Sequence, residues 1–206
     1  MASANHLLPT AYILAGGQST RYAARSAVTT DKARAVIAGT PMILHLYREL
    51  ARTCSEVRVV ADKDDKYRDL HLANLVDRRP DQGPLGGLHT ACLDCPTEWL
   101  LLCACDWVRL ETDWVTYLCD ARHSRDEAVV IRQTIRGRER WQPLFALYHR
   151  DVAEAAAQRL DNGGGSMQDF IRTIRARAVA PPHGWARARN VNTPEDLKGV
   201  LPDSPV

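Results

Sequence analysis

The sequence predicts an α/β fold in which helices cover a mostly parallel β-sheet. Its apolar pattern alternates between short runs typical of strands and the three-and-four-residue spacing typical of helices, and this alternation is characteristic of βαβ architecture. The most apolar run, WLLLCAC at residues 99–105, contains no charge, as expected of a central strand buried on both faces. With 206 residues, 45% hydrophobic and 25% charged, the chain fits one domain. We expect this domain at residues 10–200, between tails at 1–9 and 201–206.

The individual elements follow from the same patterns. Helices are expected at 88–93, 111–121, 151–160, 167–174 and 41–52, where Met42, Leu46 and Leu50 repeat at helical spacing. Ser166 is expected to cap one helix, and Thr193 before Pro194 marks the start of another. Strands are expected at residues 10–15, 56–61, 74–76, 99–105, 128–132 and 142–150.

The first strand runs into a glycine turn that is suited to binding phosphate. Gly16 and Gly17 have no Cβ, so successive backbone N–H groups can converge on an anion. Ser19 adds a hydroxyl, and Arg21 and Lys32 add two cations. Neither G-x-x-x-x-G-K-[ST] nor G-x-G-x-x-G is present. The alternative is an ordinary strand-to-helix turn with two glycines.

A second candidate binding loop is DRRPDQGPLGG at residues 77–87. The glycines around Gly83, Pro84 and Leu85 predict irregular structure, which would present backbone N–H groups at the start of the helix at 88–93. The alternative is a tight turn that begins at a solvated Asp77.

Asp106 follows the most apolar strand directly. Ligands of open α/β sheets bind at the carboxyl ends of the strands, and a carboxylate is a hard oxygen ligand for Mg²⁺, which would in turn bridge nucleotide phosphates. The alternative role, capping the helix expected near Thr112, is disfavoured because Asp106 lies too far ahead of that helix.

These motifs together resemble the MobA-like nucleotidyltransferases. LAGG, Ser19, Arg21, the pair Asp31-Lys32 and Gly39-Thr40-Pro41 resemble the signature loop of that family. In the same order, the chain carries the family's later segments: an aspartate followed by GPLGG, Cys-Asp at 105–106, PLFALY from Pro143 and NVNTPEDL at 190–197. The resemblance implies a Rossmann-like three-layer α/β/α enzyme that moves a nucleoside monophosphate from an NTP onto a phosphorylated acceptor, releasing pyrophosphate.

The resemblance also implies residue roles. Arg21, Lys32 and Asp106 would be catalytic, with Asp106 holding Mg²⁺, while Asn190 and Asn192 would face the acceptor. The nucleotide would contact Leu14, Ala15, Gly16, Gly17, Ser19, Lys32, Asp77, Gly83, Pro84, Leu85 and Asp106.

The glycine loop also indicates the substrates. LAGG rather than LAAG resembles the guanylyl branch of the family, which implies GTP and molybdopterin as substrates and transient contact with enzymes that make or receive the molybdenum cofactor. The alternatives are a relative that uses another NTP or acceptor, such as CTP or a sugar or lactyl phosphate, and a non-catalytic nucleotide-binding relative.

Two departures from the family pattern bear on these alternatives. The spacer between Arg21 and Asp31 is longer than usual and contains no glycine, and Trp107-Val108 stand where many members have a proline after the aspartate. The intact Asp31-Lys32 pair predicts that activity is retained.

Several other features favour a small-molecule enzyme. Cys92 and Cys95 form C-x-x-C, the one hint of zinc or redox chemistry, but no second pair follows at finger spacing, so reduced buried thiols are expected.

The net charge of +2 gives no general attraction for nucleic acid, and the arginines near Trp185 lack an RNP, KH or zinc pattern. Neither a membrane-length apolar run nor a signal sequence is present, so we expect a soluble, cytoplasmic protein.

The stretch 132–141, RQTIRGRERW, is expected to be a basic connector with Gly137 at its turn. A solvated charged face is the simpler interpretation. The alternative is a basic segment that faces the active site and attracts a phosphorylated acceptor.

Overall fold

The computed structural model describes residues 8–16, 31–191, 193 and 196. Within these residues the strands are β1 (Thr10–Leu14), β2 (Val36–Ile37), β3 (Thr40–Pro41), β4 (Glu56–Ala61), β5 (Asn74–Val76), β6 (Trp99–Ala104), β7 (Trp107–Arg109), β8 (Ala128–Ile135), β9 (Arg138–His149), β10 (Ala176–Val179) and β11 (Arg189–Asn190). The helices are α1 (Met42–Leu50), α2 (Gly83–Asp94), α3 (Asp113–Asp120), α4 (Val152–Asp161) and α5 (Met167–Ile171).

The strands form a seven-stranded central sheet in the order β10-β8-β9-β6-β1-β4-β5. Strand β9 is antiparallel to both of its neighbours, and the other described pairs in this sheet are parallel. The expected mostly parallel sheet is therefore confirmed. Strand β6 is central and its inner residues are buried on both faces, which explains its continuous apolar sequence.

Helices cover both faces of the sheet and give three layers. On one face, α1 and α3 pack against side chains such as Ile13 and Cys103. On the other, α2, α4 and α5 pack against side chains such as Tyr12 and Leu102. Successive strand residues thus point into two separate cores, as the period of a strand requires. No helix within the described part of the chain is long and apolar enough to cross a membrane.

Two expectations about local structure were wrong. Residues 83–85 are not loop but the first turn of α2, which begins five residues earlier than expected, with Pro84 in its first turn. Residues 132–141 are not a connector: they continue β8 and begin β9, so the two strands form a long hairpin. Its turn is Arg136-Gly137, both with positive φ (51° and 73°), as a two-residue hairpin loop of type I′ requires.

The glycines inside α2 are explained by close packing. A Cβ on Gly86 would lie 2.6 Å from the carbonyl oxygen of Arg79, and a Cβ on Gly87 would lie 2.7 Å from Cδ2 of Leu14. Glycine therefore lets the helix approach both the 77–82 turn and the end of β1, and this tertiary fit outweighs its low helix propensity.

The expected cap at Ser166 is confirmed. Ser166 Oγ accepts a hydrogen bond from the Asp169 backbone N–H at the start of α5. The Thr193 backbone N–H donates to Asp196 Oδ2 at 2.8 Å, and the helix expected from Thr193 lies outside the described residues.

Candidate active site

The glycine turn and the proposed metal ligand lie at the same edge of the sheet. Leu14, the last residue of β1, pairs with Ala104, the last residue of β6, and the Cys105 backbone N–H donates to the Leu14 carbonyl oxygen at 3.1 Å. Gly16 and Asp106 each follow two residues after this pair. The register of two parallel strands therefore brings their carboxyl ends side by side, where α/β proteins bind ligands.

Lys32 and Asp106 form an ion pair at this edge. Lys32 Nζ lies 3.0 Å from Asp106 Oδ2, and the two side chains are 11% and 19% exposed. The other carboxylate oxygen, Oδ1, accepts a hydrogen bond from Asn190 Nδ2 at 3.3 Å. Asp106 is thus in direct contact with two other residues that were predicted for the site. Lys32 lies 74 positions before it in the chain, and Asn190 lies 84 positions after it.

Asn190 reaches Asp106 because of a two-stranded sheet. Strand β7 follows Asp106 directly and pairs antiparallel with β11, in a register that places Asn190 opposite Trp107. The Val191 backbone N–H also donates to the Asp106 carbonyl oxygen at 2.9 Å. The Trp107-Val108 segment, which departs from the family pattern, therefore serves as the strand that holds the C-terminal asparagine beside the carboxylate.

Asp31 fixes the position of Lys32. Its Oδ1 accepts the Ala33 backbone N–H at 3.0 Å and caps a short 3₁₀ helix at Lys32–Arg34, and its Oδ2 accepts the Tyr67 hydroxyl at 3.0 Å. Burial, assisted by the Asp31 charge, raises the pKa of Tyr67 well above its usual value, so this hydroxyl remains a neutral donor. In the Asp31-Lys32 motif, the carboxylate thus positions the cation that pairs with Asp106.

Sequence reasoning missed Lys66. Its ammonium donates to the Ala15 carbonyl oxygen at 3.2 Å and forms an ion pair with Asp62 at 2.8 Å. A Cβ on Gly16 would lie 3.6 Å from Ala61 and Asp62 backbone atoms, so this segment borders the glycine turn. The only signal in the sequence was that DKDDKY directly follows the strand β4, whose carboxyl end lies at the same edge.

Asp77 directly follows β5, and its carboxylate accepts hydrogen bonds from the protein itself. Its Oδ1 accepts the Arg79 backbone N–H and the Thr90 hydroxyl, both at 2.9 Å. Its Oδ2 has no hydrogen-bond partner within the described residues. The carboxylate therefore holds the turn after β5 against α2 through Oδ1.

The other predicted nucleotide contacts differ in accessibility. Gly16, Gly83 and Pro84 are exposed and Leu14 is half-buried, whereas the Leu85 side chain is buried in the core beneath α2. Leu85 can therefore contribute only backbone atoms. Gly17, Ser19, Arg21 and Asn192 lie outside the described residues.

The cysteines behave as structural thiols. All six are free, and five of them, including Cys92 and Cys95 of the C-x-x-C, are buried. In the part of the chain that the structure describes, no group of three or more His, Cys, Asp or Glu side chains could hold a metal ion.

Comparison with known proteins shows the family of the chain. The model of the MobA-like NTP transferase domain matches residues 11–179. The chain belongs to this family. Its glycine turn, Lys32, Asp77 and Asp106 all fall within the matched residues.

Individual relatives of the MobA-like family extend the match over nearly the whole chain. The molybdenum cofactor guanylyltransferase of Cupriavidus metallidurans is 30% identical over 192 residues, which are 91% of this chain and 92% of that protein. The protein of the same name from Syntrophotalea carbinolica is 26% identical over 194 residues, 91% of this chain and 88% of its own.

Solved structures establish the fold. Molybdopterin-guanine dinucleotide biosynthesis protein A from Archaeoglobus fulgidus matches with a TM-score of 0.73 at 15% identity, covering 92% of this chain and 95% of that one. The 4-diphosphocytidyl-2C-methyl-D-erythritol synthase of Anaerococcus prevotii matches with a TM-score of 0.69 at 12% identity, covering 95% and 97%. Proteins with different names share this fold, so the fold alone does not identify the nucleotide substrate.

Proposed function

We propose that this protein transfers GMP from GTP onto the phosphate of molybdopterin and releases pyrophosphate. The observation that carries the proposal is the Lys32–Asp106 ion pair beside the end of β1, because it joins a cation and a hard oxygen ligand where a phosphate-binding turn begins. The names of the relatives support guanine and molybdopterin, since the similarity to the Cupriavidus metallidurans protein extends over 91% of this chain.

The reaction joins two anions. An oxygen of the acceptor phosphate attacks the α-phosphorus of GTP, and the bond from that phosphorus to the bridging oxygen of pyrophosphate breaks. Lys32, with Lys66 nearby and Arg21 from the glycine loop, lowers the repulsion between the two substrates. The acceptor phosphate is already an anionic nucleophile at neutral pH, so the reaction requires no general base.

The nucleotide binds at the ends of β1 and β5. Backbone N–H groups of Gly16 and Gly17, with the Ser19 hydroxyl, hold the triphosphate. Asp77 accepts a hydrogen bond from the nucleotide through its Oδ2, and the N-terminus of α2 at Gly83 lies after it in the chain. The Gly83, Pro84 and Leu85 backbone forms this second part of the nucleotide site.

The residues present fit a Mg²⁺ ion. Mg²⁺ is commonly held by one or two carboxylates together with substrate phosphates and water, and Asp106 offers one carboxylate beside the proposed phosphate site. Asp106 would hold the ion. When bound, Mg²⁺ neutralises charge on the phosphate oxygens and makes the α-phosphorus more electrophilic.

The acceptor approaches Asp106 from the side opposite to the nucleotide. Asn190 donates to Asp106 from β11, so a phosphate held by Asn190 and Asn192 lies next to the carboxylate.

All six cysteines are free thiols, as is usual in the cytosol, which supports the expected cytoplasmic location.

Calorimetric titration with GTP, CTP, ATP and UTP in the presence of Mg²⁺ tests the proposal. We expect GTP to bind at least about tenfold more tightly than the other nucleotides, because a site that hydrogen-bonds a base rejects analogues that leave its polar groups unpaired. Preference for CTP would favour the alternative cytidylyl activity. Binding without subsequent transfer would favour a non-catalytic relative, and absence of NTP binding would contradict the proposal.

A further inference from the structure

The β8–β9 hairpin extends past the edge of the sheet that carries the candidate active site. Cys103 of β6 pairs with Phe145 of β9, and β6 ends at Ala104. Residues 138–143 of β9 therefore continue beyond the end of β6, with β8 alongside. At about 3.4 Å per residue, this part of the hairpin is on the order of 20 Å long.

The two faces of the hairpin differ in charge. On one face, Arg132 lies opposite Trp141, contacts its ring and forms an ion pair with Glu139 at 3.3 Å. On the other face, Arg140 lies opposite Gln133 and Arg138 lies opposite Ile135. Both Arg138 and Arg140 are exposed, and neither forms a hydrogen bond or ion pair with a described residue. Only this second face presents uncompensated positive charge.

The second face connects to Asp106 through packed aromatic side chains. Gln133 accepts a hydrogen bond from Trp185 Nε1 at 3.1 Å, and the Trp185 ring lies 5.3 Å from the ring of Trp107. Trp107 follows Asp106 in the chain and donates from Nε1 to the Leu144 carbonyl oxygen at 2.8 Å, at the base of the hairpin. The arginine face is therefore linked to Asp106 through Gln133, Trp185 and Trp107, on the side of Asp106 away from β1.

The strand order implies that the two substrates approach Asp106 from different sides. From β1 to β6 to β9, the sheet edge presents in turn the Gly16 turn, the Asp106 carboxylate and the hairpin. With the nucleotide on the β1 side of Asp106, the second substrate must approach from the β9 side. That side carries positive charge, and a phosphorylated acceptor is an anion.

We propose that Arg138 and Arg140 bind the phosphorylated acceptor, molybdopterin, and position it beside Asp106. This inference rests on the proposed function, because it assigns a binding surface to the second substrate of that reaction. The two arginines do not touch the reacting atoms, so they are positioning residues. Their loss weakens acceptor binding and leaves the nucleotide site unchanged.

The experiment compares the double variant R138A/R140A with a control, R48A/R125A, that loses the same charge. Arg48 is exposed on α1, and Arg125 is exposed at the opposite end of β8. Tryptophan fluorescence measures molybdopterin binding without GTP, and calorimetry measures GTP binding on the same samples. A second variant, R138K/R140K, keeps the charge but not the bidentate donors.

We expect R138A/R140A to weaken molybdopterin binding at least about tenfold, since hydrogen bonds to charged groups contribute strongly, and to reduce its salt dependence. The control should change binding less than about twofold, and R138K/R140K should restore part of the affinity. GTP binding should be equal in all four proteins. Unchanged molybdopterin affinity in R138A/R140A, an equal loss in the control, or no molybdopterin binding by the wild type would each overturn the inference, whereas failure of the wild type to bind GTP would contradict the proposed function itself.

Discussion

Lys32 Nζ lies 3.0 Å from Asp106 Oδ2, which joins the 3₁₀ helix after the glycine loop to the end of the central strand. In this arrangement each charge is the partner of the other. In the proposed reaction, a bound triphosphate would offer Lys32 a second anionic partner, and Mg²⁺ would offer Asp106 a second cation. The pair therefore holds both side chains in place at the sheet edge where we propose that the substrates meet.

Replacing Lys32 by Ala should abolish transfer. We expect kcat to fall at least about 100-fold, because a fixed cation that stabilises charge in the transition state is lost, while the circular dichroism spectrum stays unchanged. Steady-state kinetics measures the effect. Lys63→Ala is the control, since Lys63 is exposed in the neighbouring segment and its loss removes the same charge. Wild-type turnover in Lys32→Ala would refute the role of this residue.

Asp106→Asn tests the metal ligand. The amide keeps the size of the side chain but is a much weaker ligand for Mg²⁺. We expect that Mg²⁺ tightens GTP binding in the wild type and has little effect on this variant, as measured by calorimetry with and without the ion. Asp64→Asn, in an exposed position after β4, should behave like the wild type. An undiminished Mg²⁺ effect in Asp106→Asn would show that the ion is held elsewhere.

Gly86→Ala should destabilise the protein even though alanine is the better helix former. The new Cβ would lie 2.6 Å from the Arg79 carbonyl oxygen, a backbone atom, and the resulting shift should cost about 1–3 kcal/mol. Gly87→Ala should cost less, because its Cβ meets the end of the flexible Leu14 side chain. Urea unfolding of both variants measures the difference. Greater stability of Gly86→Ala than of the wild type would contradict the packing argument.

The thiols should resist modification in the folded protein. Burial raises the pKa of Cys54 and of Cys105 to about 12, so both remain protonated and unreactive at pH 8. Labelling with iodoacetamide should be slow in the native state and should reach all six cysteines in guanidinium chloride. Rapid native labelling of Cys92 or Cys95 would instead revive the redox interpretation of the C-x-x-C.

The same pKa shifts predict the alkaline limit of stability. An unfolded cysteine ionises near its usual pKa of about 8.5, whereas the folded Cys54 and Cys105 retain their protons up to about pH 12. The unfolded state therefore loses protons first, and the free energy of unfolding should decrease as the pH rises above about 8.5. Urea unfolding at pH 7.5 and 9.5 checks the sign; equal or greater stability at pH 9.5 would contradict it.

The sheet and the ends of its strands could be predicted because they depend on local apolar pattern. The charge-free run of β6 identifies the central strand, and Asp106 is then located by its position at the end of that strand. The contact of Asp106 with Lys32 and Asn190 could not be predicted from the pattern, because it depends on strand register and on the pairing of β7 with β11.

The errors have physical causes. Glycines at 86 and 87 indicated a loop, but their function is to let α2 pack closely, and only the positions of Arg79 and Leu14 reveal this. The charged sequence at 132–141 indicated a solvated connector because both faces of a projecting hairpin can be polar. Lys66 could not be distinguished from other surface lysines until the fold placed it at the Ala15 carbonyl oxygen.

Transfer of label from GTP to the acceptor tests the central claim most directly. The purified protein is incubated with Mg²⁺, molybdopterin and GTP that carries ³²P at either the α or the γ position. We predict that the α label appears in a molybdopterin-guanine dinucleotide and the γ label in pyrophosphate, in equal amounts, and that neither transfer occurs with Lys32→Ala. Label from the γ position on the acceptor, or no α label on it with the wild-type protein, would contradict the account.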